Sequence, residues 1–126
     1  MPLNSTPPRQ ILPVMQKLKD SYLLWHSYHQ SMPKTQRYSL GLKIDNLFTE
    51  IIEAVSIASF LKQNEKIPYV RKAIQKLDTL KIFLMIIWET KTLDSKKYIN
   101  LSEILDEIGK MLGGWYGQLT KNSLKK

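Results

Sequence analysis

Apolar and aromatic residues recur along most of the chain at alternating spacings of three and four, the period of an α-helix with one buried face. Polar or proline-containing segments interrupt the pattern at three places, and no segment shows the strict alternation that a strand requires. The pattern predicts an all-α protein with four amphipathic helices. The defining positions are, helix by helix, Ile11, Met15, Leu18, Tyr22, Trp25, His29 and Met32; Gly41, Ile44, Phe48, Ile51, Val55 and Ala58; Val70, Ile74, Leu77, Leu80, Leu84 and Ile87; and Leu101, Leu105, Ile108, Leu112, Trp115 and Leu119.

The interruptions predict the helix ends. Pro33 and Pro68 suit the first turns of the second and third helices, because a proline there removes an N–H that has no partner within the helix. The polar segment 62–66 predicts a short connector between these helices. Asp94 or Ser95 is a suitable N-cap for the fourth helix.

Short connections between long helices favour an antiparallel up-down-up-down four-helix bundle over residues 11–120. The first helix is expected to span 11–32. Residues 1–10 carry prolines and no periodicity, so they are expected to form a flexible leader, and residues 121–126 a basic tail.

Charge adds a class of partner to this picture. Lys and Arg number 19 against 11 Asp and Glu, so the net charge is +8, and a basic balance of this kind attracts RNA, DNA or an anionic membrane surface. No secretory signal opens the chain, and the absence of cysteine suits a reducing compartment, so a cytoplasmic protein is expected. The longest apolar run, 82–88, is far shorter than the roughly 20 residues of a membrane-spanning helix.

The same apolar run predicts contact with another molecule. Ile82, Phe83 and Ile86 lie off the helix face that packs inside the bundle, so a monomer would expose them. Exposed apolar patches of this kind mark partner surfaces, and we expect these residues to form an oligomer interface. The alternative, a neighbouring loop that covers one side chain, explains one exposed residue better than three.

Glycines on the fourth helix suggest a close contact. Gly109, Gly113 and Gly117 share one face, and each costs about 1 kcal/mol relative to alanine inside a helix. A packing gain is therefore expected, either from another backbone or from a large ring such as Trp25 or Tyr28. The alternative is that the helix frays from Gly113 onward.

Catalytic and metal-binding patterns are missing from the sequence. His26 and His29 could offer two ligands on one side of the first helix, but His29 belongs to the apolar face, and a packed, hydrogen-bonded histidine without a metal is expected. Asp45, Glu50 and Glu53 are expected to form a solvated helix face. No phosphate-binding glycine loop, nucleophile elbow or serine–histidine pairing occurs, so neither an enzyme nor a cofactor is predicted.

The basic residues are the best candidates for binding. No recognition helix or aromatic sheet is present to read bases, so contacts to phosphates are expected, with strong salt dependence and weak sequence preference. The alternative is an ordinary solvated surface, because acidic residues are interspersed. The candidates are Lys34 and Arg37 at the start of the second helix, Arg71, Lys72 and Lys76 as a cluster on one side of the third, and Lys81 and Lys110 beside the apolar faces.

Three segments are shared with a known family. They are 32–41 (MPKTQRYSLG), 77–84 (LDTLKIFL) and 107–115 (EIGKMLGGW), and in this order the chain resembles the accessory variability determinant (Avd) family of diversity-generating retroelements. The resemblance runs from Tyr22 to Leu119, and its most specific part is the third segment. The first segment is shared more widely, including with four-helix proteins encoded in intervening sequences of bacterial 23S ribosomal RNA genes.

The resemblance implies a four-helix protomer in a basic, barrel-shaped homopentamer that binds RNA and DNA and associates with the retroelement's reverse transcriptase. In such systems the polymerase copies a template RNA with errors at adenines, and the cDNA replaces a variable region of a target gene. Catalysis would belong to the polymerase.

Two positions bear on the implied role. Lys81 and Lys110 fall where similar proteins carry basic residues, whereas Met85, one turn after Lys81, departs from the further basic residue expected there. The departure keeps open a second interpretation, a scaffold of the ribosomal intervening-sequence type that binds proteins rather than nucleic acid. RNA or DNA preference and oligomer size also stay open.

Overall fold

The computed structural model describes residues 12–124, and this part of the chain is helical with no β-strand. The predicted leader, together with Ile11, lies outside the described residues. Four long helices are present, as predicted. The elements are α1 (Pro13–Gln30), α2 (Lys34–Arg37), α3 (Leu40–Phe60), a 3₁₀ turn (Gln63–Lys66), α4 (Ile67–Glu89) and α5 (Ser95–Leu124).

The long helices form a four-helix bundle in which each packs against two others, in the order α1, α3, α4, α5 and back to α1. Contacts at the two ends show that neighbours run antiparallel. The Lys66 ammonium, at the start of α4, donates to the Ala58 carbonyl near the end of α3. At the other end, Lys43 of α3 lies over the ring of Phe83 in α4. The predicted four-helix bundle is therefore confirmed, and α3 and α4 run antiparallel as expected.

The apolar faces of the four helices meet in one core, as their spacing predicts. Trp25 and Phe48 are the largest fully buried side chains, and their rings stack at a centroid distance of 6.2 Å. Full burial of one such side chain contributes about 1.5–3 kcal/mol, so the bundle depends mainly on this core. Of the defining positions that the structure describes, the partly buried ones are Met15, Tyr22, His29, Ile74 and Trp115, and the others are buried.

The second predicted helix is interrupted near its start. Pro33 is the N-cap of the four-residue helix α2, and a separate helix, α3, begins only at Leu40. The backbone of Ser39 leaves the helical region, with φ −116° and ψ −98°, and its hydroxyl donates to the Thr35 carbonyl at 2.9 Å. A serine hydroxyl that bonds a backbone carbonyl competes with helical hydrogen bonds, and this contact accompanies the break at Ser39.

The start of the fourth helix agrees with the sequence prediction, whereas its end lies further along the chain than one alternative allowed. Asp94 is its N-cap, as one of the two predicted choices, because its carboxylate accepts the N–H of Lys97 at 2.9 Å. The alternative prediction, that the helix frays from Gly113 onward, is wrong, since α5 continues to Leu124. Leu119 is buried beyond the glycines and holds this part of the helix against the bundle. Residues 121–124 of the predicted tail are therefore helical, and the last two residues lie outside the described range.

The glycine face of α5 makes one close contact within the protomer. A Cβ at Gly109 would lie 3.3 Å from the Lys81 ammonium and 3.5 Å from Leu77. Around Gly113 and Gly117, no other described residue comes within 4 Å of such an atom. The neighbours at Gly109 are thus two side chains, and within the described protomer neither the expected backbone nor the expected ring approaches these three glycines.

The rings proposed to cover those glycines lie elsewhere. Trp25 stacks on His29 at a centroid distance of 5.1 Å, on the side of the bundle where α1 meets α3. Tyr28 lies under the Lys97 ammonium at 5.3 Å, near the start of α5. The prediction for both rings was wrong, because helical periodicity does not determine which neighbouring helix a side chain meets.

Gly41 makes the tightest glycine contact, and it generates a stability prediction. A Cβ there would lie 2.8 Å from the His29 ring and 2.9 Å from the Gln36 carbonyl oxygen. We expect Gly41→Ala to lower the free energy of unfolding by about 1–3 kcal/mol through overpacking. Urea unfolding followed by circular dichroism measures this change.

Gly113→Ala is the matched control. Its new methyl group meets open space in the protomer, so the helix should gain up to about 1 kcal/mol. A Gly41→Ala protein as stable as wild type would show that the contact with His29 is loose.

Candidate functional site

Lys81 and Lys110 line the same groove between α4 and α5. Lys81 points from α4 toward α5, where its ammonium lies 3.2 Å from the Asp106 carboxylate. Lys110 is exposed on α5, one residue after the glycine that the Lys81 side chain approaches. The groove is lined by Ile74, Leu77, Asp78, Lys81, Asp106, Gly109 and Lys110.

The charges within this groove are balanced. Two lysines face two aspartates, Asp78 and Asp106, so the groove by itself carries no formal excess of positive charge. The Lys81–Asp106 pair is solvent-accessible, and exposed pairs of this kind contribute about 0–1 kcal/mol. A phosphate can therefore compete with Asp106 for Lys81 at small cost.

The other basic residues of α4 do not form the predicted single cluster. Arg71 points toward α5, where its guanidinium donates to the Tyr116 hydroxyl at 3.1 Å. Lys76 points toward α3 and lies 3.4 Å from Glu50. Lys72 is exposed. Because Arg71 and Lys76 reach opposite sides of α4, the clustering prediction was wrong.

The two basic residues of α2 lie at the end of the bundle where α1 ends and α3 begins. Lys34 is exposed there. Arg37 is partly buried, and two of its guanidinium nitrogens donate to the Met32 carbonyl at 3.1 and 3.3 Å. Arg37 thus stabilises the turn between α1 and α2 and keeps its remaining nitrogen for other contacts.

Asp45 is not part of a solvated face, contrary to the sequence prediction. Its Oδ1 accepts hydrogen bonds from the Tyr22 hydroxyl at 3.0 Å and from the Trp25 indole N–H at 3.3 Å. His29 completes the group, with Nδ1 3.9 Å from the same oxygen. Asp45 lies on a different helix from the three residues that it meets here, so spacing along one helix could not reveal this cluster.

His29 is packed and hydrogen-bonded, as predicted. Its Nε2 lies 2.9 Å from the Arg37 carbonyl oxygen, which can only accept, so the ring donates from Nε2. Among residues 12–124, no group of three histidine, cysteine or acidic side chains is arranged to hold a metal ion.

A family model described as bAvd-like matches residues 12–119, almost the entire described range. The chain belongs to the bAvd-like family. Membership confirms the resemblance inferred from segments 32–41, 77–84 and 107–115. No curated protein matches the sequence.

The bAvd-like chain exposes part of the apolar run on α4. Ile82 is 53% exposed and Met85 36%, whereas Ile86 is partly buried. Phe83 was expected to point away from the bundle, but it packs against the core beneath Lys43. We call Ile82, Met85 and Ile86 the outer α4 strip. Within the described residues, no helix has the length and apolarity needed to cross a bilayer.

The contact between Tyr22 and Asp45 predicts a pH effect. Burial raises the pKa of Tyr22 above its ordinary value of 10.0, and the hydrogen bond and negative charge of Asp45 add to the increase. The folded state therefore keeps its proton where the unfolded state loses it, so this contribution to stability is complete below pH 10 and disappears as pH rises through the folded-state pKa. We expect Tyr22→Phe to remove that part of the alkaline destabilisation.

Urea unfolding across the alkaline range, combined with NMR titration of labelled tyrosine rings, measures both quantities. Tyr38→Phe is the control, because Tyr38 is mostly exposed. The pKa of Tyr22 should lie above its ordinary value of 10.0, and a Tyr22 phenol that titrates at that value would contradict the prediction.

Proposed function

We propose that this bAvd-like protein is a non-enzymatic accessory of a diversity-generating retroelement. In this role it binds RNA and DNA through a basic oligomeric surface and associates with the reverse transcriptase, and so supports mutagenic cDNA synthesis and retrohoming. Family membership supports the accessory role. The proposal assigns the chemistry of polymerisation to the partner enzyme and to no residue of this chain.

The convergence of Lys81 and Lys110 on one groove carries the nucleic-acid part of the proposal. The two residues are far apart in sequence and come from different segments that the family shares, yet they line the same surface of a protein with net charge +8. Ammonium groups bind phosphates as point charges. The groove therefore suits a nucleic-acid backbone that displaces Asp106 from Lys81.

Self-association would strengthen this binding. Each added protomer contributes +8, and phosphate contacts from several protomers act together on one strand. The outer α4 strip is the proposed contact between protomers, and a homopentamer is the proposed assembly.

Charge reversal at the groove tests the nucleic-acid role. We expect Lys81→Glu with Lys110→Glu to weaken binding to structured RNA and duplex DNA and to flatten the dependence of log Kd on log salt, because each phosphate that a lysine no longer neutralises takes roughly 0.7–0.9 from the slope. Fluorescence anisotropy across salt concentrations measures this change, and circular dichroism verifies the fold.

Lys19→Glu with Lys96→Glu is the charge-matched control, since both lysines are exposed and lie outside the groove. Equal losses of affinity in the two double variants would mean that net charge alone matters. Undiminished binding in the groove variant would reject Lys81 and Lys110. An absence of wild-type binding at low salt would favour the protein-binding scaffold, for which the exposed apolar residues on α4 already provide a contact surface.

A second test addresses the assembly. We expect Ile82→Glu to convert the oligomer to smaller species, because a carboxylate buried in an apolar interface must be desolvated. Leu23→Glu on α1 is the control, since Leu23 is similarly exposed and lies outside the strip. Light scattering coupled to size-exclusion chromatography gives the molar masses, and an unchanged mass for Ile82→Glu would exclude the strip as the interface.

A further inference from the structure

An open pocket lies at the end of the bundle where α1, α2 and α3 meet. Its volume of about 400 Å³ falls within the roughly 300–1,000 Å³ of small-molecule sites. Polar and aromatic side chains line it, which distinguishes it from the lysine-lined groove between α4 and α5. The lining residues are Tyr22, His26, His29, Gln30, Arg37, Tyr38 and Asp45.

Asp45 provides an oriented acceptor in this pocket. Its Oδ1 already accepts from the Tyr22 hydroxyl and the Trp25 indole. Among the described residues, Oδ2 has no hydrogen-bond or ion-pair partner, although the side chain is only 22% exposed. A partly buried carboxylate oxygen of this kind favours a ligand that donates an N–H.

Aromatic and cationic groups stand beside this acceptor. The Tyr38 ring is 63% exposed and offers a face for stacking. The Arg37 guanidinium lies 5.9 Å from the centre of that ring and bonds the Met32 carbonyl through only two of its three nitrogens. The third nitrogen can donate to an anion. The pocket therefore combines an N–H acceptor, a π-face and a cation.

We propose that this pocket receives an unpaired nucleobase with an exocyclic amino group (cytosine, adenine or guanine) from a single-stranded nucleic acid. The amino group donates to Asp45 Oδ2, the ring stacks on Tyr38, and Arg37 contacts a neighbouring phosphate. Uracil, thymine and hypoxanthine, bound in the same orientation, place a carbonyl oxygen where the amino group would lie, so the contact with the carboxylate is lost. The inference rests on the proposed nucleic-acid binding and adds a base preference that phosphate contacts lack.

The test uses oligomers that differ mainly in this group. Fluorescence anisotropy compares oligocytidylate with oligouridylate, and oligoadenylate with oligoinosinate, at equal length and salt concentration. The wild-type protein should prefer the amino-bearing member of at least one pair by about fivefold or more, in line with the roughly 1–3 kcal/mol that one good base contact discriminates.

Asp45→Asn reverses the polarity of the contact without changing its shape. The amide oxygen can still accept from Tyr22 and Trp25. The amide nitrogen takes the place of Oδ2 and donates a hydrogen bond where Oδ2 accepted one. Within the pair that the wild-type protein distinguishes, the variant should therefore prefer the carbonyl-bearing oligomer. Asp78→Asn, the same charge change in the other groove, should leave every affinity ratio unchanged.

Tyr38→Ala gives a second measure that does not disturb the packed residues. It should weaken binding of the preferred oligomer by about fivefold or more through loss of stacking and bring the ratio of affinities toward one. Binding of all four oligomers with ratios near one, unaltered by Asp45→Asn, would overturn the base pocket and leave phosphate-driven binding intact. Failure of all four oligomers to bind would overturn the base pocket alone, because binding of structured RNA and duplex DNA tests the proposed function separately.

Discussion

The structure depends on the burial of α3, whose apolar face meets both α1 and α4. Every defining position of this helix, from Gly41 to Ala58, is buried. Because its connections to α1 and α4 are short, burial of this one face sets the antiparallel order of three helices, and α5 then closes the ring. The α4–α5 groove and the pocket where α1, α2 and α3 meet both follow from that arrangement, since each lies where neighbouring helices are held at a fixed distance.

The sequence was informative about individual helices and much less so about the surfaces between them. The spacing of apolar residues alone located four long helices and nearly the whole core, because the buried face of each helix can be predicted from that helix's own sequence. It did not place Trp25 against α3, separate Arg71 from Lys76, or find the break at Ser39. Those features depend on which helix lies next to which, and on a local hydroxyl contact that competes with helical bonds. The family segments identified Lys81 and Lys110, but only the fold brings them together.

Net charge and local charge differ in this protein. The chain carries a net charge of +8, yet Lys81 and Lys110 face Asp78 and Asp106 in a groove with no formal excess of positive charge. Acidic neighbours of this kind lower the affinity for any polyanion and raise the selectivity for one that fits closely enough to displace them. A groove with compensated charge thus suits selective binding better than uniform, tight binding of every polyanion.

The pocket residues also contribute to the fold. His29 approaches Gly41 closely, donates to the Arg37 carbonyl and stacks on Trp25, whose indole in turn orients Asp45. The rings and the carboxylate are therefore held by core packing before any ligand arrives, and little conformational entropy remains to be lost on binding. Tyr38 lies at the rim with 63% of its surface exposed, so its substitution should cost little stability, whereas Arg37 also holds the turn between α1 and α2. The end of the bundle thus combines a rigid interior with an exposed edge, an arrangement that suits the proposed discrimination between bases.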